Sequence, residues 1–151
     1  MFKLICNKTV KLSRNQILDI LKLKKSHWNY SLEKQLEHFK ISFKNNDLHN
    51  LLYKNNQLIG YTALRIIHLF KKKKNFTFLQ FDTLIIHKSF RKKKLSNLLM
   101  IFNTITIINK KLTALLYCKK QLIPFYKKFG WKISNNKYLI PKKSKTVMVF
   151  N

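Results

Sequence analysis

The chain has 151 residues, of which 46% are hydrophobic and 13% aromatic, and this apolar content is enough to bury a core and excludes an intrinsically disordered protein. Its 32 basic and 5 acidic residues give a formal net charge of +27, so we expect the protein to attract anionic ligands. No apolar run approaches the roughly 20 residues of a membrane-spanning helix, and we expect one cytoplasmic domain over residues 1–151, without a membrane partner.

The first part of the chain predicts one strand and two helices. Phe2–Cys6 has the alternation of a short strand. Ser13 and Gln16 have the spacing of a capping box, in which both side chains bind free N–H groups at a helix start. A second helix is expected from Ser31. Helical stripes follow these starts at Ile17, Ile20 and Leu21, and at Leu32, Leu36, Phe39 and Phe43.

The middle of the chain predicts a meander of three strands. Leu48–Lys54 and Gln57–Phe70 are joined by two asparagines, which tolerate a tight turn, and Phe76–His87 forms the third strand. The third strand is apolar on both sides, which is typical of a central, covered strand. Strict alternation assigns Phe78, Leu84 and Ile86 to one face and Leu79, Phe81 and Ile85 to the other.

The last part predicts a helix from Leu95, a strand at Thr113–Cys118 and a short helix at Gln121–Phe129 that ends at Gly130. Two closing strands are expected at Trp131–Ser134 and Thr146–Phe150. The order β-α-α-β-β-β-α-β-α-β-β indicates the α/β class, with one mixed, mostly antiparallel sheet flanked by helices.

A basic turn between the third strand of the meander and the next helix is the first candidate site. A helix start near Arg91 to Asn97 offers unpaired N–H groups and the positive end of the helix dipole, which suit a phosphate or pyrophosphate. The side chains of Lys92, Lys93 and Lys94 add positive charge to it.

Three features together resemble the GNAT superfamily of N-acetyltransferases: the order of elements, the stretch Phe81–Arg91 and the later Phe125–Trp131. The resemblance implies an enzyme that binds acetyl-CoA and transfers its acetyl group to an amine, or a hydroxyl, of a small acceptor. It also implies that the backbone of the central strand, at Leu84, Ile85 and Ile86, pairs with the pantetheine arm.

The resemblance assigns the pyrophosphate to the family's Arg/Gln-x-x-Gly-x-Gly/Ala turn. The matching residues are Arg91, Lys92, Lys93, Lys94, Leu95 and Ser96, with Asn97 following them in the first helical turn. Lys94 and Ser96 stand where the family has small residues. The resemblance further implies that Tyr126 is the general acid, which protonates the departing CoA thiolate.

Only a few residues are candidates for contacting or deprotonating the acceptor. Asp82 is the only carboxylate after Asp47, and it is either structurally satisfied or helps to deprotonate the acceptor; alternation places it on the face of Leu84 and Ile86. Trp28 and Tyr30 either pack or form an aromatic platform for a sugar derivative or another flat-faced acceptor. The alternative roles for His49 and Asp47 are substrate contact or a simple turn or cap.

Metal binding and nucleic-acid binding are the alternatives to the acetyltransferase. The five histidines and two cysteines lack the paired spacing of a metal site, so no metal is expected. A non-catalytic basic module for RNA or ribosomes on a GNAT scaffold is the alternative, supported by the charge and by Lys94 and Ser96. No aromatic-basic RNA motif is present, so nucleic acid is not the favoured partner.

Overall fold

The computed structural model describes residues 1–136, 139 and 145–150, and this part of the chain forms one seven-stranded sheet with helices on both faces. The strands are β1 (Phe2–Lys8), β2 (Leu48–Lys54), β3 (Gln57–Lys71), β4 (Lys74–Ile86), β5 (Ala114–Cys118), β6 (Lys132–Ile133) and β7 (Thr146–Phe150). The helices are α1 (Arg14–Lys25), α2 (Leu32–Ser42), α3 (Leu95–Lys110) and α4 (Ile123–Lys127). The predicted fold class is confirmed.

Local sequence signals account for the first helices and the first turn. Ser13 and Gln16 form both hydrogen bonds of the capping box at the start of α1, and the Ser31 side chain accepts a hydrogen bond from the N–H of Lys34 at the start of α2. Asn55 and Asn56 both take positive φ angles between β2 and β3, a conformation that asparagine adopts more readily than most residues.

The sheet has the order β1-β2-β3-β4-β5-β7-β6. Strands β2 to β4 form an antiparallel meander, β1 pairs antiparallel with β2, and β5 pairs in parallel with β4 after the α3 crossover. No helix in the described residues has both the length and the apolar character needed to cross a membrane.

The two faces of the sheet are covered by different helices. Ile20, Leu21 and Phe39 of α1 and α2 pack with Leu51 and Tyr61 on one face. On the other face, Met100 and Ile107 of α3 pack with Leu64, Leu79 and Phe81. At roughly 25 cal/mol per Å² of buried apolar surface, these two layers supply most of the driving force for folding.

A β-bulge in β4 overturns the predicted alternation of that strand. Leu64 pairs with Phe81 and Thr62 with Leu84, so Asp82 and Thr83 together oppose Ala63 alone. Because of this extra residue, Phe81 and Leu84 both pack in the α3 layer. The assignment of Leu79 and Phe81 to the face opposite Leu84 and Ile86 is therefore wrong.

Candidate functional site

The central feature of the site is the point at which β4 and β5 separate. The two strands pair only at Leu79 with Ala114 and at Gln80 with Leu115. Within the described residues, the remainder of β4 pairs with β3 alone, as the partners of Leu84, Ile85 and Ile86 show. Its other backbone edge is therefore available to an extended ligand, as in β-strand addition. This is the segment that was predicted to hold the pantetheine arm.

The predicted phosphate turn follows directly from this strand. Lys92 and Lys94 take positive φ angles of 61° and 57°, and α3 begins at Leu95. The turn thus has left-handed backbone where Lys94 replaces the small residue of the family pattern. Helix starts leave their first N–H groups without intrahelical partners, so those of Leu95 and Ser96 are the donors that the geometry offers. The N–H of Asn97 is already bonded to the Lys94 carbonyl at 3.0 Å, which leaves only its exposed side chain for a ligand.

The side chain of Arg91 links the turn to two other segments through hydrogen bonds. Its Nε donates to the carbonyl of Ile86 at 3.2 Å, and its Nη2 lies 3.0 Å from Nδ1 of His27. Because an arginine has no acceptor, His27 must accept this hydrogen bond with an unprotonated Nδ1. Lys93 lies over the ring of Phe90, with its Nζ 5.5 Å from the ring centroid.

Tyr126 lies beside the point where β4 and β5 separate. Its ring packs at 6.0 Å from that of Phe81, the first β4 residue past the last pair with β5, and it also contacts Phe125 and Trp131. Burial, with a smaller effect from Cys118, raises the pKa of Tyr126 to about 12, so the hydroxyl stays protonated at neutral pH. It makes no hydrogen bond within the described part of the chain, and is thus free to donate to a ligand.

Asp82 lies at the bulge, and its side chain is exposed. Its charge acts on Lys24 of α1 and on Tyr61, a residue of the layer under α1 and α2. The placement of Asp82 on the face of Leu84 and Ile86 is therefore wrong, since those two side chains pack against Leu95 and Leu99 of α3. The bulge, which alternation does not reveal, turns Asp82 toward the α1 side.

Trp28 and Tyr30 line a common cavity of about 610 Å³ between the end of α1, the following link and α2. They are 38% and 59% exposed, so neither is a core residue. Trp28 packs edge-on against His27, the partner of Arg91, at 4.6 Å between ring centroids. The hydrogen bond between His27 and Arg91 thus connects the wall of this cavity to the phosphate turn. The remaining lining residues are Lys24, Lys34, Gln35, Glu37, His38 and Ile41.

His49 is not a substrate contact, and this prediction is corrected. The side chain is 0% exposed and stacks between Phe39 and Tyr61. Its two ring nitrogens lie 2.8 Å from Thr9 Oγ1 and 2.8 Å from the Tyr61 hydroxyl. Burial, aided by the charge of Lys24, lowers its pKa to about 4.

Asp47, the other member of that polar pair, is also structural. It accepts from the N–H groups of Lys44 and Ile66 at 2.8 and 2.7 Å, which fixes the turn before β2. Asp47 is thus a turn residue, which was one of the two alternatives, and His49 is a core residue.

Comparison with solved structures identifies the fold. No protein-family model matches the sequence, and no curated protein matches it either. Solved structures do: an acyl-CoA N-acyltransferase from Pseudomonas aeruginosa is similar over 99% of both chains, with a TM-score of 0.73 and 14% identity. ElaA of Escherichia coli is similar over 99% of this chain and 98% of its own, with a TM-score of 0.71 and 18% identity. The chain has the GNAT fold.

A third similar structure bears on the site. The PaiA N-acetyltransferase of Thermoplasma acidophilum, crystallised in complex with coenzyme A, matches over 97% of this chain and 98% of its own, with a TM-score of 0.62 and 18% identity. These likenesses establish the GNAT fold for this chain. The roles of Tyr126, Asp82 and the residues of the turn stay predictions.

Lys24 is one of the cavity residues that were not predicted from the sequence. It is 4% exposed and lines the cavity with Trp28 and Tyr30. The signal was present, because Lys24 continues the apolar stripe of α1 one turn beyond Ile20 and Leu21. A lysine at such a position is placed on the buried side of the helix by the same periodicity that buries its neighbours.

Proposed function

We propose that this GNAT-fold chain is an acetyl-CoA-dependent acyltransferase that moves an acetyl group to an amine, or a hydroxyl, of a small acceptor. The observation that carries the proposal is the separation of β4 from β5 after Gln80, which leaves a free strand edge leading into the turn at Arg91. A free edge, a left-handed turn and a helix start in succession suit a long ligand with a pyrophosphate at one end.

The residues present fit such a ligand. The backbone of Leu84, Ile85 and Ile86 would align the pantetheine arm, since within the described residues this part of β4 pairs with β3 alone and its other edge has no strand partner. The N–H groups of Leu95 and Ser96 would bind the pyrophosphate, with Lys92, Lys93 and Lys94 as surrounding cations. Bound acetyl-CoA supplies an acetyl group on a thioester, which is activated toward nucleophiles.

The residues near the strand separation would manage the protons of the reaction. The acceptor nitrogen or oxygen forms its bond to the acetyl carbon as the carbon–sulfur bond breaks, and the acceptor gives up a proton. Asp82 is the proposed recipient of that proton, directly or through water, because it is the exposed carboxylate at the bulge. Tyr126, which a pKa of about 12 keeps protonated at neutral pH, would hydrogen-bond the departing sulfur and pass its proton to it. Water would then reprotonate Tyr126, while Asp82 releases to water the proton that it took from the acceptor.

The cavity lined by Trp28 and Tyr30 is the proposed acceptor site. Two exposed aromatic rings suit a flat-faced acceptor, and a sugar derivative belongs to that class. Polycationic acceptors are disfavoured because the protein carries a net charge of +27.

Calorimetric titration of acetyl-CoA into the purified protein at moderate salt tests the proposal. We expect saturable binding that Lys94→Glu weakens about tenfold, equivalent to roughly 1.4 kcal/mol. Lys132→Glu, which makes the same charge change on the exposed edge strand β6, is the matched control and should change the affinity little. A screen of amines and alcohols for CoA release then identifies the acceptor.

The contrary outcome has a definite meaning. Absence of acetyl-CoA binding, together with salt-resistant binding of RNA, would overturn the enzyme in favour of the basic binding module. The charge and the lysine at position 94 are the observations behind that alternative.

A further inference from the structure

Two largely buried polar side chains line the acceptor cavity. Lys24 and Gln35 are each 4% exposed, and both border the cavity. Within the described residues, the Lys24 ammonium forms no ion pair and no hydrogen bond, and the Gln35 side chain forms no hydrogen bond. The Lys24 ammonium lies over the ring of Phe43, at 5.7 Å from the centroid.

The Lys24 ammonium and the Gln35 amide are open to the cavity. The ammonium is nevertheless largely removed from bulk solvent, and a ring at this distance returns only part of the hydration free energy that it loses. Burial accordingly lowers the pKa of Lys24, while the charge of Asp82 offsets part of the shift. Among the described residues neither Asp82 nor any other carboxylate forms an ion pair with Lys24, so a negative group in the cavity would meet a cation without a counter-ion.

The position of Lys24 relates the cavity to the proposed chemistry. Asp82 lies in the bulge of β4, next to the strand edge proposed for the pantetheine arm, and its charge reaches Lys24. A ligand that binds Lys24 in the cavity is therefore on the same side of the sheet as the proposed base.

We infer that the acceptor carries a carboxylate, which binds the Lys24 ammonium and the Gln35 amide, while Trp28 and Tyr30 contact its apolar or ring portion. This inference rests on the proposed function, because it names the class of acceptor for the same site. The ammonium and the amide N–H groups are donors without acceptors of their own, and a carboxylate supplies two acceptor oxygens.

The test uses a matched pair of fragments, phenylacetate and phenylacetamide, which differ in charge and little in shape. Binding is followed by tryptophan fluorescence, since Trp28 lines the cavity and the other tryptophan, Trp131, is buried. At physiological ionic strength we expect the wild type to bind phenylacetate about tenfold more tightly than phenylacetamide. Lys24→Met should abolish this preference, so that the two fragments bind with about equal affinity.

Lys22→Met is the control for the general positive field, because Lys22 lies on the same helix as Lys24 but is exposed and is not a lining residue of the cavity. It removes the same formal charge and should keep most of the preference for phenylacetate. A second variant, Gln35→Met, should weaken phenylacetate binding severalfold even if Lys24→Met fails to fold.

Three results would overturn the inference: equal affinity for the two fragments, no saturable binding of phenylacetate, or a preference that survives both Lys24→Met and Gln35→Met. A neutral Lys24 would give the first of these. Acetyl-CoA titration of the same preparations separates this failure from that of the proposed function. Binding of acetyl-CoA without phenylacetate preference rejects the carboxylate acceptor alone, whereas loss of acetyl-CoA binding rejects the acyltransferase.

Discussion

The guanidinium of Arg91 donates a 3.0 Å hydrogen bond to Nδ1 of His27, although 64 residues separate the two in the chain. The same side chain binds the carbonyl of Ile86 at 3.2 Å, where β4 ends. Arg91 therefore joins three segments: the strand edge, the turn before α3 and the link after α1. The proposed acetyl-CoA site and the proposed acceptor cavity meet at this residue.

Replacement of Arg91 by lysine should weaken acetyl-CoA binding about tenfold, because an ammonium cannot make the paired contacts of a planar guanidinium. Calorimetric titration measures the change. His27→Ala removes only one partner and should cost about twofold or less. If Arg91→Lys binds acetyl-CoA as the wild type does, Arg91 is a surface residue of the turn and nothing more.

Tyr126→Phe should lower kcat by about tenfold to a hundredfold and leave acetyl-CoA affinity within about twofold, since the hydroxyl acts on the departing sulfur rather than on binding. Because the pKa of Tyr126 is raised to about 12, loss of its proton cannot lower the reaction rate below about pH 10. Steady-state rates of CoA release across this pH range check both statements. An unchanged kcat would show that Tyr126 only packs against Phe81 and Phe125.

The element order could be predicted from the sequence because each signal was local. The capping box at Ser13 and Gln16 and the positive φ of Gly130 depend on neighbours a few residues away. The faces of β4 could not be predicted, because the bulge at Asp82 is visible only in the pairing with β3. A strand taken alone gives a period of two and no register.

The same distinction between local signals and contacts of distant segments applies to the candidate site. The turn from Arg91 lies in one continuous stretch, and the structure keeps its lysines at the start of α3. The burial of His49 depends on Phe39, Phe43 and Tyr61, which reach it from α2, the end of α2 and β3. Contacts between distant segments are set by packing, which periodicity does not encode.

Lys94→Gly should stabilise the fold by up to about 1 kcal/mol, because Lys94 has a φ of 57° and glycine reaches this region without a Cβ clash. Lys93→Gly is the matched control: Lys93 is not among the positive-φ residues, so glycine there should cost about 0.5 kcal/mol through the unfolded state. Urea unfolding of the two variants measures the difference. A Lys94→Gly variant no more stable than Lys93→Gly would mean that the turn is unstrained.

Gly60→Ala should destabilise the protein by about 1 kcal/mol, because the added methyl group must displace the ends of the Leu99 and Ile86 side chains. A Cβ at this position would lie 2.8 Å from Leu99 Cδ1 and 3.0 Å from Ile86 Cδ1. Leu99→Ala in the same background should recover part of the loss, and a double-mutant cycle by thermal unfolding measures that coupling. Strict additivity of the two substitutions would place the strain elsewhere.

His49 should make the fold sensitive to acid between about pH 6.5 and 4. Burial, aided by Lys24, lowers its pKa in the folded protein from 6.5 to about 4. The unfolded chain therefore binds this proton below pH 6.5 while the folded chain does not, so the free energy of unfolding falls as the pH is lowered through that window. The full contribution is about 3 kcal/mol, at 1.36 kcal/mol per pKa unit.

Urea unfolding from pH 7 to pH 4 measures this dependence, with His49→Gln as the test variant. Other groups titrate in the same range, so the informative quantity is the difference in slope between wild type and variant. We expect His49→Gln to be less stable at pH 7, because it loses the stacking with Tyr61, and to lose less stability toward pH 4. His38→Gln removes an exposed imidazole and controls for the change in formal charge. Parallel curves for wild type and His49→Gln would mean that water reaches His49 in the folded protein, and that its imidazole is protonated as readily there as in the unfolded chain.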